Sequence, residues 1–256
     1  MSASDDLRLL QIEIDTLFVM SASRRIECVN DPDHSVGPRI VFAGCHEGNV
    51  ACVRHDVKNE VANELFAITA EEPPWGDPWV LPGCIGKLLD VLSNNQPPAT
   101  GPASRIPLMV GAGVIYQLRN QSEYKHPAII VRRDSAEGVE LMARFAERGM
   151  PKPMVDAGFK SVADLWAPWC IAIEGDEVAA IAFAARLGND GAEIGVYTFP
   201  GFRSRVFAAA VTAGWSSLPS LDSRALFYST SRANRSSQRV AARLGLRMIG
   251  ASVSIG

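Results

Sequence analysis

The chain has 256 residues, of which 47% are hydrophobic and 21% charged, and its net charge is −3. That composition is typical of a globular protein, and it excludes a fibrous repeat and extensive disorder. The net charge argues against a nucleic-acid-binding protein. No apolar run approaches the roughly 18 residues that span a bilayer, and the sequence does not begin with a basic, apolar leader. We therefore expect a cytoplasmic protein that binds no membrane.

The cysteines are expected to be free thiols, because they are five in number and widely scattered in a chain of this size. Cys45, His46, Cys52 and His55 fall within eleven residues, but their spacing matches no standard zinc framework. The sequence therefore predicts no metal site.

Residues 1–125 predict an N-terminal α+β domain. Apolar residues recur at helical spacing within residues 7–18, 57–68 and 85–92, which predicts three helices. The sequence pattern predicts a hairpin formed by residues 39–46 and 49–56 around a Gly-Asn turn. It also predicts a further strand at residues 106–118, after the proline-containing loop 93–104. The polar run at residues 119–127 is a better candidate for the hinge between the two domains than the loop at 93–104. We therefore place the domain boundary near residue 125.

Residues 126–256 predict a second domain of order β-α-α-β-β-β-α-β-α-β. The predicted elements are a strand at 128–132, a helix at 139–146, a helix or helical turn at 155–166, strands at 169–174, 177–187 and 192–199, a helix at 205–218, a strand at 224–230, a helix from Asn234 to Leu244 and a strand at 246–255. Asn234 is expected to cap the last helix at its start and Gly245 at its end.

The most informative segment of this domain joins the strand at 192–199 to an alanine-rich helix through Pro200 and Gly201. Successive backbone N–H groups at such a turn suit a bound phosphate. The segment from Phe199 to the end contains eight arginines, no lysine and one acid, so it carries +7 while the rest of the chain carries −10. A local basic segment of this kind fits a small polyphosphate ligand.

Three motifs resemble the acyl-CoA-binding core of the GNAT superfamily of N-acyltransferases, over about residues 127–256. The segment Arg203-Ser204-Arg205-Val206-Phe207-Ala208 occupies the place of the family's phosphate turn, Arg/Gln-x-x-Gly-x-Gly/Ala. Asn234 to Ser237, followed by an apolar helix and Gly245-Leu246, is similar to a second family motif. Glu193 stands in a strand where many members carry an acid.

This resemblance implies an α/β fold of the α+β type, with a GNAT-like mixed, mainly antiparallel sheet flanked by helices. It implies direct acetyl transfer from acetyl-CoA, as co-substrate and without a metal, to an amine-bearing acceptor that the sequence does not identify. Residues 1–125 resemble the accessory domain of longer GNAT proteins. The sequence leaves a homodimer open.

The resemblance also implies a set of residues that contact the coenzyme through strand backbone, turn or helix start. They are Val196, Tyr197, Thr198, Arg203, Ser204, Arg205, Val206, Phe207, Ala208, Asn234 and Ser237. Ser204 and Val206 replace glycines that are common in the family. Valine is tolerable at position 206 if the turn takes right-handed helical geometry there.

The catalytic candidates are Glu193 as general base and Tyr228, Ser229 or Ser237 as proton donor to the departing thiolate. The tyrosine that often serves as general acid in the family would fall at Ala241. Two alternatives therefore stay open, namely an acyl-CoA-binding regulatory module without activity and a structural protein that binds no nucleotide. Glu193 is equally compatible with a solvent-facing position at the beginning of its strand.

Overall fold

The computed structural model describes residues 5–96 and 107–256, and its chain divides into two compact units. Unit 1 comprises Met1–Tyr116, Ser229–Asn234 and Met248–Gly256, and unit 2 comprises Gln117–Tyr228 and Arg235–Arg247. Unit 1 thus includes two segments from the C-terminal part of the chain. The predicted division into separate domains 1–125 and 126–256 stays a prediction.

The described residues form helices and strands in the following order. The helices are α1 (Asp6–Leu17), α2 (Asn59–Ala70), α3 (Ile85–Asn94), α4 (Ala136–Arg148), α5 (Lys152–Asp156), α6 (Phe207–Ser216) and α7 (Arg235–Arg243). The strands are β1 (Phe18–Met20), β2 (Ile26–Val29), β3 (Ile40–Cys45), β4 (Gly48–Val53), β5 (Val110–Leu118), β6 (Ile129–Arg132), β7 (Trp169–Glu174), β8 (Glu177–Leu187), β9 (Gly191–Thr198), β10 (Ala225–Ser231) and β11 (Arg247–Ile255). The predicted α+β class is confirmed.

Unit 1 contains the predicted hairpin, in which β3 pairs with β4 from Ile40 opposite Val53 to Cys45 opposite Gly48. Its strands follow the order β4-β3-β11-β5, and β11 runs antiparallel to β3. The apolar faces of α2 and α3 pack on this sheet, with Leu65 and Leu88 fully buried. Of the predicted loop 93–104, residues 97–104 lie outside the described residues, as does Ile106 of the predicted strand.

One hairpin of unit 1 was not predicted. The first helix ends at Leu17, and Phe18 begins β1, which pairs antiparallel with β2. These strands have three and four residues, so they are too short for a two-residue alternation to be recognised. The extension of the helix through Phe18 is therefore wrong.

Unit 2 has the strand order β10-β9-β8-β7-β6. Its pairs from β6 to β9 are antiparallel, whereas β9 and β10 run parallel, which confirms the mixed, mainly antiparallel sheet. The hairpin predicted around Gly175 is present as β7 and β8. The region 155–166, predicted as a helix or helical turn, contains the end of α5 and a helical turn at Val162–Asp164, because Gly158 takes a φ of +101° between them.

The two faces of this sheet carry different layers. Side chains of α4 and α5 pack with β7, β8 and Phe199 in one apolar cluster that includes Phe145, Met154 and Phe159. Helix α6, whose Trp215 is fully buried, contacts β7, β8 and β9. The segment that joins β9 to α6 is therefore held by a strand on one side and a buried helix on the other.

The last helix ends as the sequence predicts. Gly245 has a φ of +61°, and the N–H groups of Leu246 and Gly245 donate to the carbonyls of Ala241 and Ala242 at 3.0 and 3.1 Å. This is the pattern of a glycine-terminated helix. None of the helices within residues 5–96 and 107–256 has both the length and the apolar character needed to cross a bilayer.

Candidate active site

The turn between β9 and α6 takes left-handed backbone geometry at two residues that are not glycine. Ser204 has a φ of 64°, and Val206, the residue before α6, has φ 60° and ψ 13°. The right-handed geometry considered for Val206 is therefore wrong. A β-branched residue in this region is strained by about 1–3 kcal/mol, which the surrounding structure must offset. The turn keeps a shape that glycine would adopt freely.

A row of backbone donors lies along this turn. Among the hydrogen bonds of the described residues, none uses the N–H groups of residues 204–208 as donors. The N–H groups of the next two residues, Ala209 and Ala210, both donate to the carbonyl of Val206. The first N–H groups of a helix have no partner within the helix, and they carry the positive end of its dipole. Five consecutive donors at this position can bind a phosphate or pyrophosphate group.

The side chain of Arg205 is held within the protein. Its Nη2 donates to both carboxylate oxygens of Glu174, the last residue of β7. Its guanidinium carbon lies 5.6 Å from the ring centre of Phe202 and 5.2 Å from that of Phe207. These contacts hold the guanidinium against the side of the turn.

The backbone of Arg205 has a partner of its own, His126. Nε2 of His126 lies 3.1 Å from the Arg205 carbonyl oxygen, and the N–H of Ala128 donates to Nδ1 over 3.1 Å. Because Nδ1 accepts, Nε2 carries the proton and donates to the carbonyl. The imidazole ring also packs on Phe207, with ring centres 4.6 Å apart.

Strands β9 and β10 pair only at their beginnings. The register runs from Ala225 opposite Gly191 to Phe227 opposite Glu193, and β9 continues to Thr198 paired with β8 alone. The N–H of Phe199 donates to Ala179, so alternation directs the backbone groups of Val196 and Thr198 away from β8. These N–H and C=O groups can pair with an amide-containing ligand, as an added strand would.

Two other coenzyme candidates lie at the same end of β9. Nε of Arg203 donates to the carbonyl of Thr198 over 3.5 Å, and the side chain of Arg203 is exposed. Tyr197 is half-buried and packs on Phe199 and Phe159, with ring centres 5.1 and 6.2 Å apart. Arg203 is therefore free to reorient toward a ligand, whereas Tyr197 forms part of the core.

Glu193 is buried, with 5% of its surface exposed, so the solvent-facing alternative is wrong. Its register partners are Phe227 on β10 and Arg186 on β8. A bulge between Ala184 and Arg186 shifts the register by one residue and brings the arginine opposite the glutamate. Direct cross-strand partners share a face, so Glu193 and Arg186 occupy facing positions on neighbouring strands.

Tyr228 and Ser237 are brought together. Their hydroxyl oxygens are 2.7 Å apart, and Tyr228 is buried. Ser237 lies one helical turn before Ala241, the fully buried residue at which the sequence lacks a tyrosine. Tyr228 follows Phe227 on β10, so it lies on the face opposite to that of Glu193. Ser229 is the next residue of β10, and Asn234 lies immediately before α7 as expected of a cap.

Four cysteines and histidines of unit 1 that are close in the sequence do not form a zinc cluster; they are Cys45, His46, Cys52 and His55. Cys52 pairs with Val41, four residues from Cys45 along β3. A different group, Asp6, His46 and Glu47, has its ligand atoms within 4.8 Å of one another, and Glu47 accepts a hydrogen bond from the N–H of Leu7. All five cysteines are free thiols, as predicted, and burial raises the pKa of Cys170 to about 12, so it is a poor nucleophile.

No protein-family model matches the sequence, and no curated protein matches it. Several solved structures similar to this chain are GNAT-family acetyltransferases. A GCN5-related N-acetyltransferase from Kribbella flavida is 14% identical with a TM-score of 0.46, and the match covers 100% of this chain and 96% of that one. An acetyltransferase of the GNAT family from Colwellia psychrerythraea is 13% identical with a TM-score of 0.40, covering 100% and 97%.

A GCN5-related N-acetyltransferase from Sphaerobacter thermophilus is 13% identical with a TM-score of 0.41, covering 89% of this chain and 78% of that one. At these identities and TM-scores, the activities of those proteins do not transfer to this chain.

Proposed function

We propose that this chain is an acetyl-CoA-dependent N-acyltransferase of the GNAT superfamily, which transfers an acetyl group directly to an amine. The observation that carries the proposal is the row of five N–H groups at residues 204–208, which donate to no acceptor among the described residues and lie at the positive end of α6 in a turn with left-handed geometry at Ser204 and Val206. A pyrophosphate fits such a row because it accepts several hydrogen bonds and carries negative charge. A cytoplasmic location stays a prediction.

The backbone groups of β9 that point away from β8 are also suited to bind coenzyme A. A pantetheine arm contains two amides, and the N–H and C=O groups of Val196 and Thr198 offer complementary partners. An N–H of this strand that reaches the thioester oxygen would stabilise the negative charge that develops there. The side chain of Arg203 adds a cation for the phosphates, and Asn234 and Ser237 remain further candidates for contacts.

The chemistry requires a proton acceptor and a proton donor. The thioester supplies an activated acetyl group, and the chain supplies Glu193 on one face of β9 and β10 and Tyr228 on the other. As the amine nitrogen forms a bond to the carbonyl carbon and the C–S bond breaks, the amine proton passes to Glu193. Tyr228, hydrogen-bonded to Ser237, gives a proton to the departing sulfur.

Thiol release from acetyl-CoA tests the proposal. Purified protein would be incubated with acetyl-CoA and a panel of primary amines that includes polyamines, aralkylamines, amino acids and peptides with free N-termini. We expect amine-dependent release of free thiol with at least one acceptor, together with an acetylated amine detected by mass spectrometry. Coenzyme binding without turnover across the panel would instead favour the inactive acyl-CoA-binding module.

The ion pair between Arg205 and Glu174 allows two roles of the Arg205 side chain to be distinguished, because they predict opposite changes in the affinity for coenzyme A. If the guanidinium fixes the turn, Glu174→Gln should weaken coenzyme A binding about threefold, because a loosened turn aligns its N–H groups less well. If Arg205 instead binds phosphate and Glu174 competes for it, the same variant should bind more tightly. We expect the weakening, measured by isothermal titration calorimetry.

Glu177→Gln is the matched control for this experiment, because Glu177 is the exposed register partner of Glu174 in the same hairpin. It removes the same charge and therefore measures the long-range effect on an anionic ligand. Tighter binding by the Glu174 variant than by this control would show that the Arg205 side chain is a phosphate ligand.

A further inference from the structure

The peptide between Arg205 and Val206 has two alternative orientations, and the one present places Val206 in the left-handed region. Rotating a peptide plane by half a turn changes ψ of the first residue and φ of the second together. Such a rotation would move φ of Val206 from the observed 60° to about −120°, out of the left-handed region that disfavours a β-branched residue. Some other contact must therefore hold the peptide in its present orientation.

That contact is the hydrogen bond from Nε2 of His126 to the Arg205 carbonyl. The carbonyl of Arg205 and the N–H of Val206 belong to one peptide group and point in opposite directions. Anchoring the carbonyl on His126 therefore directs the N–H of Val206 away from His126. Nδ1 accepts from Ala128, and the ring rests on Phe207, so the imidazole is fixed on both sides.

We propose that His126 is a positioning residue for the coenzyme, which keeps the Arg205–Val206 peptide turned with its N–H toward the phosphate site. The inference rests on the proposed coenzyme A binding. Without this anchor, Val206 relaxes, the peptide rotates, and the Arg205 carbonyl oxygen replaces an N–H donor in the site. A carbonyl dipole repels phosphate, so the rotated turn does not bind the coenzyme, and the apparent affinity falls with the fraction of correctly oriented turns.

The test combines His126→Ala with Val206→Gly. In the natural background, His126→Ala should raise the Kd of coenzyme A about tenfold. In the Val206→Gly background, the same change should raise it less than about threefold, because glycine adopts a φ of +60° without strain. His126→Gln retains a donor near the position of Nε2 and should restore most of the affinity. Equal losses in both backgrounds would overturn the proposal.

A ligand-free readout separates this inference from the proposed function. In a crystal structure of the His126→Ala variant without coenzyme, φ of Val206 should be negative and the Arg205 carbonyl should be turned by about half a turn. A retained φ near +60° would overturn the positioning role. Failure of the unsubstituted protein to bind coenzyme A would overturn the proposed function, whereas the crystal structure tests the effect of His126 on the peptide independently of any ligand. His46→Ala, at a histidine whose side chain is 64% exposed, is the control and should change neither readout.

Discussion

Val206→Asp is expected to reduce the affinity for coenzyme A at least about a hundredfold while leaving the protein folded. The substitution places a carboxylate beside the donor row at residues 204–208, where it competes for the same N–H groups and repels the pyrophosphate. Like charges brought together at a binding site cost several kcal/mol, and a hundredfold loss corresponds to about 2.7 kcal/mol.

Stability should not fall, because aspartate suits this position better than valine does. Val206 is the residue before α6 and has left-handed geometry, which aspartate adopts more readily than a β-branched residue. A carboxylate at a helix start also accepts hydrogen bonds from the first turn. The experiment is a calorimetric titration with coenzyme A, accompanied by thermal unfolding of each protein.

Val139→Asp provides the matched control, since it makes the same substitution at a residue of α4 that is 66% exposed. It should leave the coenzyme affinity within about twofold of the unsubstituted protein, because an exposed charge far from the site is screened by salt. Retained affinity in the Val206 variant would show that the coenzyme does not bind at this turn.

Glu193→Gln is expected to lower amine-dependent turnover by about a hundredfold or more, the range over which a general base contributes. Glutamine has nearly the same shape but cannot take the amine proton. Coenzyme affinity should stay within about twofold, because the backbone groups proposed to bind the coenzyme are unchanged. Rates would be measured by thiol release from pH 6 to 9, once an acceptor has been found.

Arg186 lies opposite Glu193 in the strand register, which offers a second explanation for the buried glutamate. The same variant, Glu193→Gln, tests that explanation. If Glu193 serves only to balance the neighbouring guanidinium on the buried strand, Glu193→Gln should lower the melting temperature and leave the turnover of the folded protein unchanged. Glu177→Gln, an exposed change on β8, should affect neither quantity. Unchanged turnover across the pH range would exclude Glu193 as the base.

The sequence allowed most of unit 2 to be predicted because its signals are local. Apolar segments on either side of the tight Gly175-Asp176 turn indicated the β7–β8 hairpin, and the left-handed glycine at 245 ended α7 where it was expected. The junction of β9 and α6 was also recognisable, because a Pro-Gly break separated a strand pattern from a helical one. These features depend on neighbours along the chain.

The features that shape the site come from residues far apart in the sequence, so pattern alone could not supply them. His126 lies in a polar segment whose sequence indicates only a hinge, 79 residues before the Arg205 carbonyl that it contacts, and Glu174 lies 31 residues before its arginine. The bulge that sets Arg186 opposite Glu193 adds one residue to a strand without any glycine or proline to mark it. Left-handed geometry at Val206 contradicts the residue's own preference and requires these tertiary contacts.

A titration of the unsubstituted protein with coenzyme A, acetyl-CoA and pantetheine tests the central claim most directly, with thermal unfolding as the readout. The claim predicts that both coenzymes stabilise the protein, by about 2.7 kcal/mol at 100 times their Kd, and that pantetheine, which lacks the pyrophosphate, has a much smaller effect. If neither coenzyme shifts the unfolding transition at millimolar concentration, the turn at residues 204–208 is not a coenzyme site and the proposed function is wrong.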